Sequence, residues 1–363
     1  MDTTLDFVYQ AAPARVVFGA GSLQYLEREI SLLGAKRALV LCTTGQRGGA
    51  EAIMTRLGHR AAGLFDRAVM HVPIATAREA REFAQARNAD CAIAFGGGST
   101  IGLGKAIALE ASIPILAIPT TYAGSEMTPI YGVTDAGVKR TGSDIRVLPK
   151  SVIYDPELTL ALPVGLSVTS GINAIAHAAE GLYANGANPI THLIAEEGIR
   201  ALAQGIPGIH ADAANIVARS QALYGAWLCG MVLGSVGMAL HHKLCHTLGG
   251  SFNLPHAQTH TVVLPHALAF NASFAPEAMH RIARALGTRD AAGGVYDLAR
   301  HHGGPTSLRE LGMTQGDLDR AVEIASANPY WNPRPISPDA LRALLQDAFD
   351  GIRPACEPAP VNE

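Results

Sequence analysis

The chain has 363 residues, of which 48% are hydrophobic and 16% are charged, so it can bury a large core and is long enough for two domains. A formal net charge of -3 and the lack of a long Lys or Arg run disfavour nucleic acid and anionic membrane as partners. The scattered cysteines form no C-x-x-C pair, so neither a disulfide framework nor a thiolate zinc site is indicated. They are Cys42, Cys91, Cys229, Cys245 and Cys356.

The N-terminal residues MDTTLDFVYQ lack a basic region followed by an apolar stretch, so we expect no secretory signal and a cytoplasmic protein. Residues 224–240 run without a charge and reach the lower length limit of a membrane-spanning helix. Within them, Ala226, Gly230 and Gly234 recur every four residues and would let a neighbouring helix approach closely. A buried core helix is therefore favoured over a membrane span.

The first 160 residues alternate strand patterns with helical patterns. Apolar runs typical of buried strands lie at residues 37–42, 90–95 and 113–118, and helical patterns lie between them at 75–87 and 100–110. Strand, helix and strand in succession predict a parallel, Rossmann-like sheet whose carboxyl edge binds nucleotides. We therefore predict an α/β dinucleotide-binding domain over residues 1–160.

Prolines cluster at residues 148–163, and beyond them the strand-like alternation disappears. Residues 161–363 are accordingly predicted to form an all-α substrate domain. Its helices are expected at residues 167–184, 191–204, 213–249, 276–286, 293–302, 314–327 and 337–349.

A glycine loop, Gly96, Gly97, Gly98 and Ser99, follows the second strand pattern and precedes a helix. Glycine lets backbone N–H groups approach a phosphate, and a helix N-terminus supplies unpaired donors. Tight strand-to-helix turns also use glycine, but this place in the sheet favours phosphate binding. The loop matches neither G-x-G-x-x-G nor the P-loop, which disfavours an ordinary Rossmann enzyme and a nucleoside triphosphatase.

Three hydroxyl residues, Thr120, Thr121 and Ser125, follow the third strand pattern. Their side chains are expected at the same carboxyl edge, within reach of a pyrophosphate or a nicotinamide ribose. Because Thr and Ser cap turns in many proteins, only this shared edge supports a cofactor-binding role.

Imidazoles are concentrated at helical spacing in the second half of the chain. Three pairs stand four residues apart: Asn173 and His177, His242 and His246, His256 and His260. Residues at i and i+4 share a helix face, so packed helices could bring several imidazoles and an amide together. A lone core histidine usually just bonds a backbone carbonyl, whereas this density favours function.

Neutral imidazoles bind transition metals, so His177, His242 and His256 are candidate zinc or iron ligands. The amide of Asn173 is a poor ligand compared with an aspartate, and no carboxylate is expected in the site. We therefore favour a site that uses imidazolium as proton donor and anion clamp.

The order of these motifs resembles the iron-containing alcohol dehydrogenases over nearly the whole chain. The matching segments are residues 96–99, 120–128, 149–156, 173–177, 242–250 and 253–256. The resemblance implies a dehydroquinate synthase-like α/β domain followed by a helical domain. In most of that family an Asp and three His bind iron or zinc, and these map onto Asn173, His177, His242 and His256. Because the Asp position is Asn173, the resemblance implies that metal is absent here.

Residues 120–132 and 328–335 are similar to the maleylacetate reductase branch of that family. This implies a homodimer that reduces maleylacetate, and its chlorinated forms, to 3-oxoadipate with NADH or NADPH in aromatic-compound degradation. The family often ends its first strand with an Asp for the ribose 2′-hydroxyl. Here that position is Thr43, with Arg47 nearby, so we expect NADPH to be accepted beside NADH.

The resemblance and the residues together suggest roles. His242, His246 or His177 would stabilise an enolate and deliver its proton, with Tyr330 beside them. The two substrate carboxylates would be bound by Asn173, His256 and Arg334, although an arginine in a Pro-rich turn is more often a solvated surface group.

Three alternatives stay open. A metal-dependent alcohol dehydrogenase of the same fold would hold stoichiometric iron or zinc and lose activity to a chelator. A non-catalytic nucleotide-binding regulator would bind cofactor without turnover. A phosphate-eliminating cyclase related to dehydroquinate synthase would show no net NADH consumption.

Overall fold

The computed structural model describes residues 7–9, 11, 14–135 and 138–355, except for the side chains of Val138 and Lys139. The chain divides into two compact units, the first of which ends at Leu162 while the second begins at Pro163. Residues 7–9 and 11 group with the second unit. The four cysteines within the described residues are free and buried, and Cys356 lies outside those residues.

The first unit is built on a parallel sheet. Its strands are β1 (Arg15–Phe18), β2 (Ala38–Leu41), β3 (Ala61–Phe65), β4 (Cys91–Gly96), β5 (Ile115–Pro119) and β8 (Ser151–Tyr154), with β6 (Ile130–Asp135) and β7 (Val138–Ser143) forming a separate antiparallel hairpin. Its helices are α1 (Leu26–Leu32), α2 (Arg47–Leu57), α3 (Ile74–Ala86) and α4 (Gly98–Ala111). The six strands follow the order β1-β8-β5-β4-β2-β3. The predicted parallel α/β unit is confirmed.

The central strands are apolar throughout because helices cover both faces of the sheet. Every residue of β2, β4 and β5 is buried. Along β4, Ile93 and Phe95 pack on one face with Ile53, while Ala92 packs on the other with Leu103. Strands covered on both faces read as continuous apolar runs rather than as alternating patterns, which is why the sequence locates them within a few residues.

The second unit is helical, as predicted. Its helices are α5 (Val164–Gly181), α6 (Pro189–Ala211), α7 (Ile216–Ser235), α8 (Leu240–Phe252), α9 (His256–Asn271), α10 (Pro276–Leu286), α11 (Ala291–His301), α12 (Asp317–Ala327) and α13 (Pro338–Asp350). The helices expected at residues 276–286, 293–302 and 337–349 are found within two residues of their predicted bounds.

Two helix predictions are wrong. The single helix expected over residues 213–249 is two helices, because α7 ends at Ser235 and Val236 adopts an extended conformation before α8 begins at Leu240. Helix α9 was not predicted. Its sequence contains Pro265, and Pro255 precedes it, and both residues are signals of a helix break in a sequence.

Helix α7 contains the one candidate membrane span in the described part of the chain, residues 216–233, and 56% of that window is buried within the protein. Its packing is that of a core helix. A Cβ on Gly225 would lie 2.7 Å from the carbonyl oxygen of Gly198 on α6, and one on Gly205 would lie 2.7 Å from the Ala222 nitrogen. Gly225 and Gly205 therefore allow α6 and α7 to pack closely, while the predicted stripe of Ala226, Gly230 and Gly234 stays a prediction.

Candidate functional site

Three helices of the second unit bring six imidazoles together. The ring centroids of His177 on α5 and His242 on α8 lie 5.2 Å apart, and His242 lies 5.0 Å from His260 on α9. His246 follows His242 at 6.1 Å, and His256 precedes His260 at 4.3 Å. With His241, whose ring centroid lies 4.8 Å from that of His260, these residues form the imidazole cluster. The i, i+4 pairs thus meet across helices, as their spacing predicts.

Several polar atoms of this cluster are buried without a hydrogen-bond partner in the described structure. They are Asn173 Oδ1, His177 Nδ1, His242 Nε2 and both ring nitrogens of His260. An unpaired buried polar atom costs about 1–3 kcal/mol, and most such atoms in folded proteins are paired. A group of them on three packed helices is the arrangement expected where a polar ligand completes the hydrogen bonding.

Glu180 is the residue of this site that the sequence analysis missed. It lies one turn after His177 on α5 and is fully buried. Its carboxylate accepts hydrogen bonds from the backbone N–H of Ala239 at 2.9 Å and of His241 at 2.7 Å, and from His242 Nδ1 at 2.7 Å. The expectation that the site lacks a carboxylate is therefore wrong, and the i, i+3 spacing from His177 was the available signal.

The carboxylate of Glu180 has two effects. It satisfies backbone donors at the start of α8, which explains why that helix begins there. It also fixes the His242 ring with Nδ1 toward the carboxylate, so that Nε2 is the nitrogen left unpaired. Burial acts to raise the pKa of Glu180, but the hydrogen bond from His242 and the charge of that ring hold it below its ordinary value. Glu180 is therefore ionised near neutral pH.

Burial disfavours the charged form of three imidazoles in this cluster. Burial, reinforced by the neighbouring imidazoles, lowers the pKa of His177 and of His260 well below the ordinary histidine value. The same causes lower the pKa of His241 to about 3. Burial therefore disfavours the imidazolium form of His177, and its neutral ring can donate or accept a hydrogen bond. His242 is the imidazole with a carboxylate at hydrogen-bond distance.

Tyr330 reaches this cluster from the segment after α12. Its hydroxyl lies 3.0 Å from His246 Nδ1. Burial and the charge of Glu180 raise the pKa of Tyr330, so its hydroxyl stays protonated and can donate a hydrogen bond. Lys243, which the sequence analysis did not select, places its Nζ 5.6 Å from the centre of the Tyr330 ring.

Arg334 is engaged away from the imidazoles. Its Nη1 donates to the carbonyl oxygen of Phe270 at 3.0 Å, and its guanidinium carbon lies 4.2 Å from the centre of the Phe270 ring. Phe270 follows His260 by ten residues on α9, which corresponds to about 15 Å along a helix. The structure thus brings together the predicted histidines and Tyr330 but holds Arg334 at the far end of α9.

The donor set at the family's ligand positions is less favourable for a divalent metal than a set that includes a carboxylate. At the family's ligand positions Asn173, His177, His242 and His256 supply one amide and three imidazoles, all without negative charge. The nearby carboxylate of Glu180 accepts from three N–H groups within 2.9 Å and faces His242 Nδ1 rather than the unpaired Nε2. In this position the carboxylate orients the His242 ring. The ligand atoms of Glu180, His241 and His242 also lie within 4.8 Å of one another, close enough for the three residues to hold an ion together.

The predicted cofactor residues of the first unit lie at one edge of its sheet. The strands β2, β4 and β5 are neighbours, and Thr43, the glycine loop and Thr120 follow their carboxyl ends. Gln46, which the sequence analysis missed, joins two of these positions. It accepts a hydrogen bond from Thr43 Oγ1 at 3.1 Å and donates one to Thr120 Oγ1 at 2.6 Å. The edge is therefore a connected set of polar groups.

The glycine loop leaves its backbone open to a ligand. Gly96 has φ 150°, and a Cβ there would lie 2.6 Å from Gln46 Oε1, so only glycine fits. Helix α4 begins at Gly98 with Gly97 as its N-cap, and no side chain caps it. The N–H of Thr100 donates to the carbonyl oxygen of Gly97 at 3.1 Å, so the N–H groups of Gly98 and Ser99 are the first-turn donors that could face an anion.

Lys105 on α4 fixes the segment that carries Ser125. Its buried ammonium donates to the carbonyl oxygens of Ser125, Thr128 and Ile130 at 2.7–2.8 Å, and to Thr128 Oγ1 at 2.9 Å. Burial lowers the pKa of Lys105 to about 7, and the charge of nearby Glu126 opposes this shift. Lys105 therefore ties the segment after β5 to α4.

Comparison with known proteins gives the class of the chain. Residues 13–156 match the family described as iron-containing alcohol dehydrogenase, and residues 167–349 match the C-terminal part of the same family. The chain belongs to the iron-containing alcohol dehydrogenase family and is an oxidoreductase.

Particular members of that family are similar over nearly the full length. The maleylacetate reductase of Burkholderia cepacia is 62% identical, over 96% of this chain and 99% of the relative. A crystal structure of maleylacetate reductase from Agrobacterium tumefaciens is 55% identical with a TM-score of 0.93, and the match covers 97% of this chain and 100% of that one. A putative alcohol dehydrogenase from Ralstonia eutropha JMP134 is 65% identical with a TM-score of 0.96, at coverages of 97% and 100%.

Proposed function

We propose that this chain is an NAD(P)H-dependent maleylacetate reductase, which converts maleylacetate and its chlorinated forms to 3-oxoadipate in the degradation of aromatic compounds. The full-length similarity to maleylacetate reductases supports the substrate. The observation that carries the proposal is the unpaired His242 Nε2, oriented by Glu180 and placed among other unpaired polar atoms.

When bound, the nicotinamide supplies a hydride to the alkene carbon that lies β to the keto group of the substrate. Negative charge then develops on the keto oxygen, and the carbon next to the keto group must gain a proton. His242 Nε2 is assigned as the donor, because the carboxylate of Glu180 stabilises positive charge on that ring before the proton leaves. Asn173, His177 and His256 line the substrate and orient it through hydrogen bonds.

Tyr330 and His246 act as a pair in this proposal. The hydroxyl and Nδ1 are 3.0 Å apart, so each fixes the other. Tyr330 is 37% exposed, so part of this residue remains accessible to substrate. The pair is assigned to stabilising the enolate oxygen by hydrogen bonding.

The cofactor is assigned to the first unit. The N–H groups at Gly98 and Ser99 would bind the pyrophosphate, and the hydroxyls of Thr120, Thr121 and Ser125 the pyrophosphate or the nicotinamide ribose. Thr43 replaces the acid that would repel a 2′-phosphate, so we propose that both NADH and NADPH are accepted.

The proposed reaction needs no metal, because the protein's own donors stabilise the enolate and the donor set lacks a charged ligand. We also propose a cytoplasmic homodimer. The buried free cysteines support a reducing compartment. The homodimer rests on the family resemblance, and sedimentation should give twice the 37.9 kDa chain mass.

The test follows NADH absorbance with maleylacetate, before and after treatment with a strong chelator, and separately follows NAD⁺ reduction with small primary alcohols. We expect maleylacetate-dependent NADH consumption that survives chelation and negligible alcohol oxidation. Alcohol oxidation that disappears on chelation would instead establish the metal-dependent dehydrogenase. Cofactor binding without any NADH consumption would leave a regulator or a cyclase.

A further inference from the structure

A cation stands beside the imidazole cluster without an acidic partner. Lys243 follows His242 on α8, and it lies three residues before His246, so these two side chains are neighbours on the helix surface. Its Nζ lies 5.6 Å from the centre of the Tyr330 ring, whose hydroxyl contacts His246. No Asp or Glu among the described residues forms an ion pair with it, whereas most arginines of the second unit's surface are paired.

The position of Lys243 in its helix is electrostatically unfavourable for the protein alone. It is the fourth residue of α8, close to the positive end of the helix dipole, where anions are stabilised and cations are not. The carboxylate of Glu180 lies near this helix end but already accepts hydrogen bonds from the backbone N–H groups of Ala239 and His241 and from the ring of His242. A cation added at such a helix end is stabilised when an external anion binds there.

We propose that Lys243 binds one carboxylate of the dicarboxylate substrate and so determines selectivity for a diacid. This rests on the proposed function and names the cation that recognises its substrate. Arg334, the other cationic candidate, already donates to the Phe270 carbonyl. Lys243 places its charge against the Tyr330 ring, and the helix dipole, the ammonium and the Tyr330–His246 pair then all favour an anion at one place.

The experiment compares the parent enzyme with Lys243→Met and Lys243→Arg, using Lys36→Met as a control that removes the same charge from an exposed position of the first unit. We expect Lys243→Met to raise KM for maleylacetate about 10- to 100-fold, the range for a hydrogen bond to a charged group. The values of kcat and of KM for NADH should change less than about threefold. Lys243→Arg should recover most of the affinity, because it keeps the charge.

Inhibition by the two monomethyl esters of 3-oxoadipate shows which of the two carboxylates Lys243 binds. Lys243→Met should weaken inhibition by the diacid and by one monoester but leave inhibition by the other monoester unchanged, since that ester lacks the carboxylate that Lys243 binds. Added salt should raise KM of the parent and barely affect the variant.

An unchanged KM for maleylacetate in an active Lys243→Met enzyme would overturn this inference and leave the proposed function standing. A rise confined to KM for NADH or NADPH would also overturn it, by assigning Lys243 to the cofactor. A parent enzyme that consumes no NADH with maleylacetate would overturn the proposed function, and this inference with it.

Discussion

Two buried polar clusters, one in each unit, differ in how completely their atoms are paired. In the first unit the ammonium of Lys105 meets four oxygen acceptors within 2.9 Å, and the Tyr154 hydroxyl donates to Glu126 Oε1 at 2.7 Å. Among the described residues, Glu126 Oε2 is the one side-chain atom of this cluster that is buried without a hydrogen-bond partner. In the second unit, Asn173, His177, His242 and His260 each keep at least one buried atom without a partner.

This difference separates a structural role from a functional one. A paired buried cluster offsets its desolvation within the protein and fixes the backbone around it. An unpaired one costs stability until a ligand supplies the missing partners. We therefore assign the Lys105 cluster to holding the cofactor segment in place and the imidazole cluster to binding the reacting molecule. Removing residues from each cluster should then have different consequences.

The largest effect on stability is expected from Lys105→Met. Three carbonyl oxygens and the Thr128 hydroxyl lose a buried donor, and the carboxyl of Glu126 loses its nearby positive charge. The free energy of unfolding should fall by about 3 kcal/mol, measured by urea denaturation. The exposed control Lys36→Met should change it by less than about 0.5 kcal/mol. A loss below about 1 kcal/mol for Lys105→Met would contradict its role as the anchor of this segment.

Glu180→Gln should act on catalysis. The amide can still accept from a backbone N–H, but it no longer stabilises positive charge on His242. We expect kcat to fall about 10- to 100-fold, the usual effect of losing a group that orients a functional imidazole. KM for NADH should stay within twofold. Steady-state kinetics with maleylacetate provide the measurement, and a parent-like kcat would show that the carboxylate only caps α8.

Much of the fold follows from the sequence because it depends on local patterns. The strands β2, β4 and β5 are buried on both faces and therefore appear in the sequence as apolar runs. The i, i+4 spacing of the paired histidines places both members of a pair on one face of a helix. At the break between α7 and α8, Glu180 from another helix binds the N–H groups of Ala239 and His241, and the carbonyl of Asn185 binds the N–H group of Gly237. A tertiary contact of this kind leaves no periodic signal.

The same reason explains the missed site residues. Gln46 gains its role by bonding Thr120, which follows a different strand, and Lys243 gains its role from Tyr330, 87 positions further along the chain. The chemistry of each side chain was visible in the sequence, but its neighbours were not. Residue types and helical spacing thus predicted the imidazole cluster, while the groups that orient it required the structure.

Asn173→Asp would add a negative charge beside the imidazole cluster. An aspartate at this position supplies the anionic ligand that the neutral amide does not. We expect the affinity for Zn²⁺ to rise at least about tenfold, measured by titration calorimetry against the chelator-treated parent. A parent that already binds zinc as tightly as the variant would contradict the assignment of a metal-independent site.

The smallest change in kinetic constants is expected from Arg47, near the carboxyl edge of the parallel sheet. Arg47 is held by Asp66 at 2.6 Å and by Glu51 at 2.8 Å, and it is 57% exposed, so its charge is partly neutralised and screened. Arg47→Ala should therefore raise KM for NADPH about threefold and leave KM for NADH unchanged. Equal changes for both cofactors would show that Arg47 does not approach the 2′-phosphate.

Single-turnover kinetics test whether the imidazole cluster carries out the reaction. NADH oxidation with maleylacetate is followed in chelator-treated enzyme for the parent, His242→Ala and His302→Ala. His302 contacts His210 instead of the imidazole cluster, so its loss controls for removing an imidazole elsewhere. We predict a rate about 10³-fold lower for His242→Ala, with unchanged NADH affinity, and a parent-like rate for His302→Ala. A His242→Ala enzyme that keeps the parent rate would contradict the assignment of the reaction to this cluster.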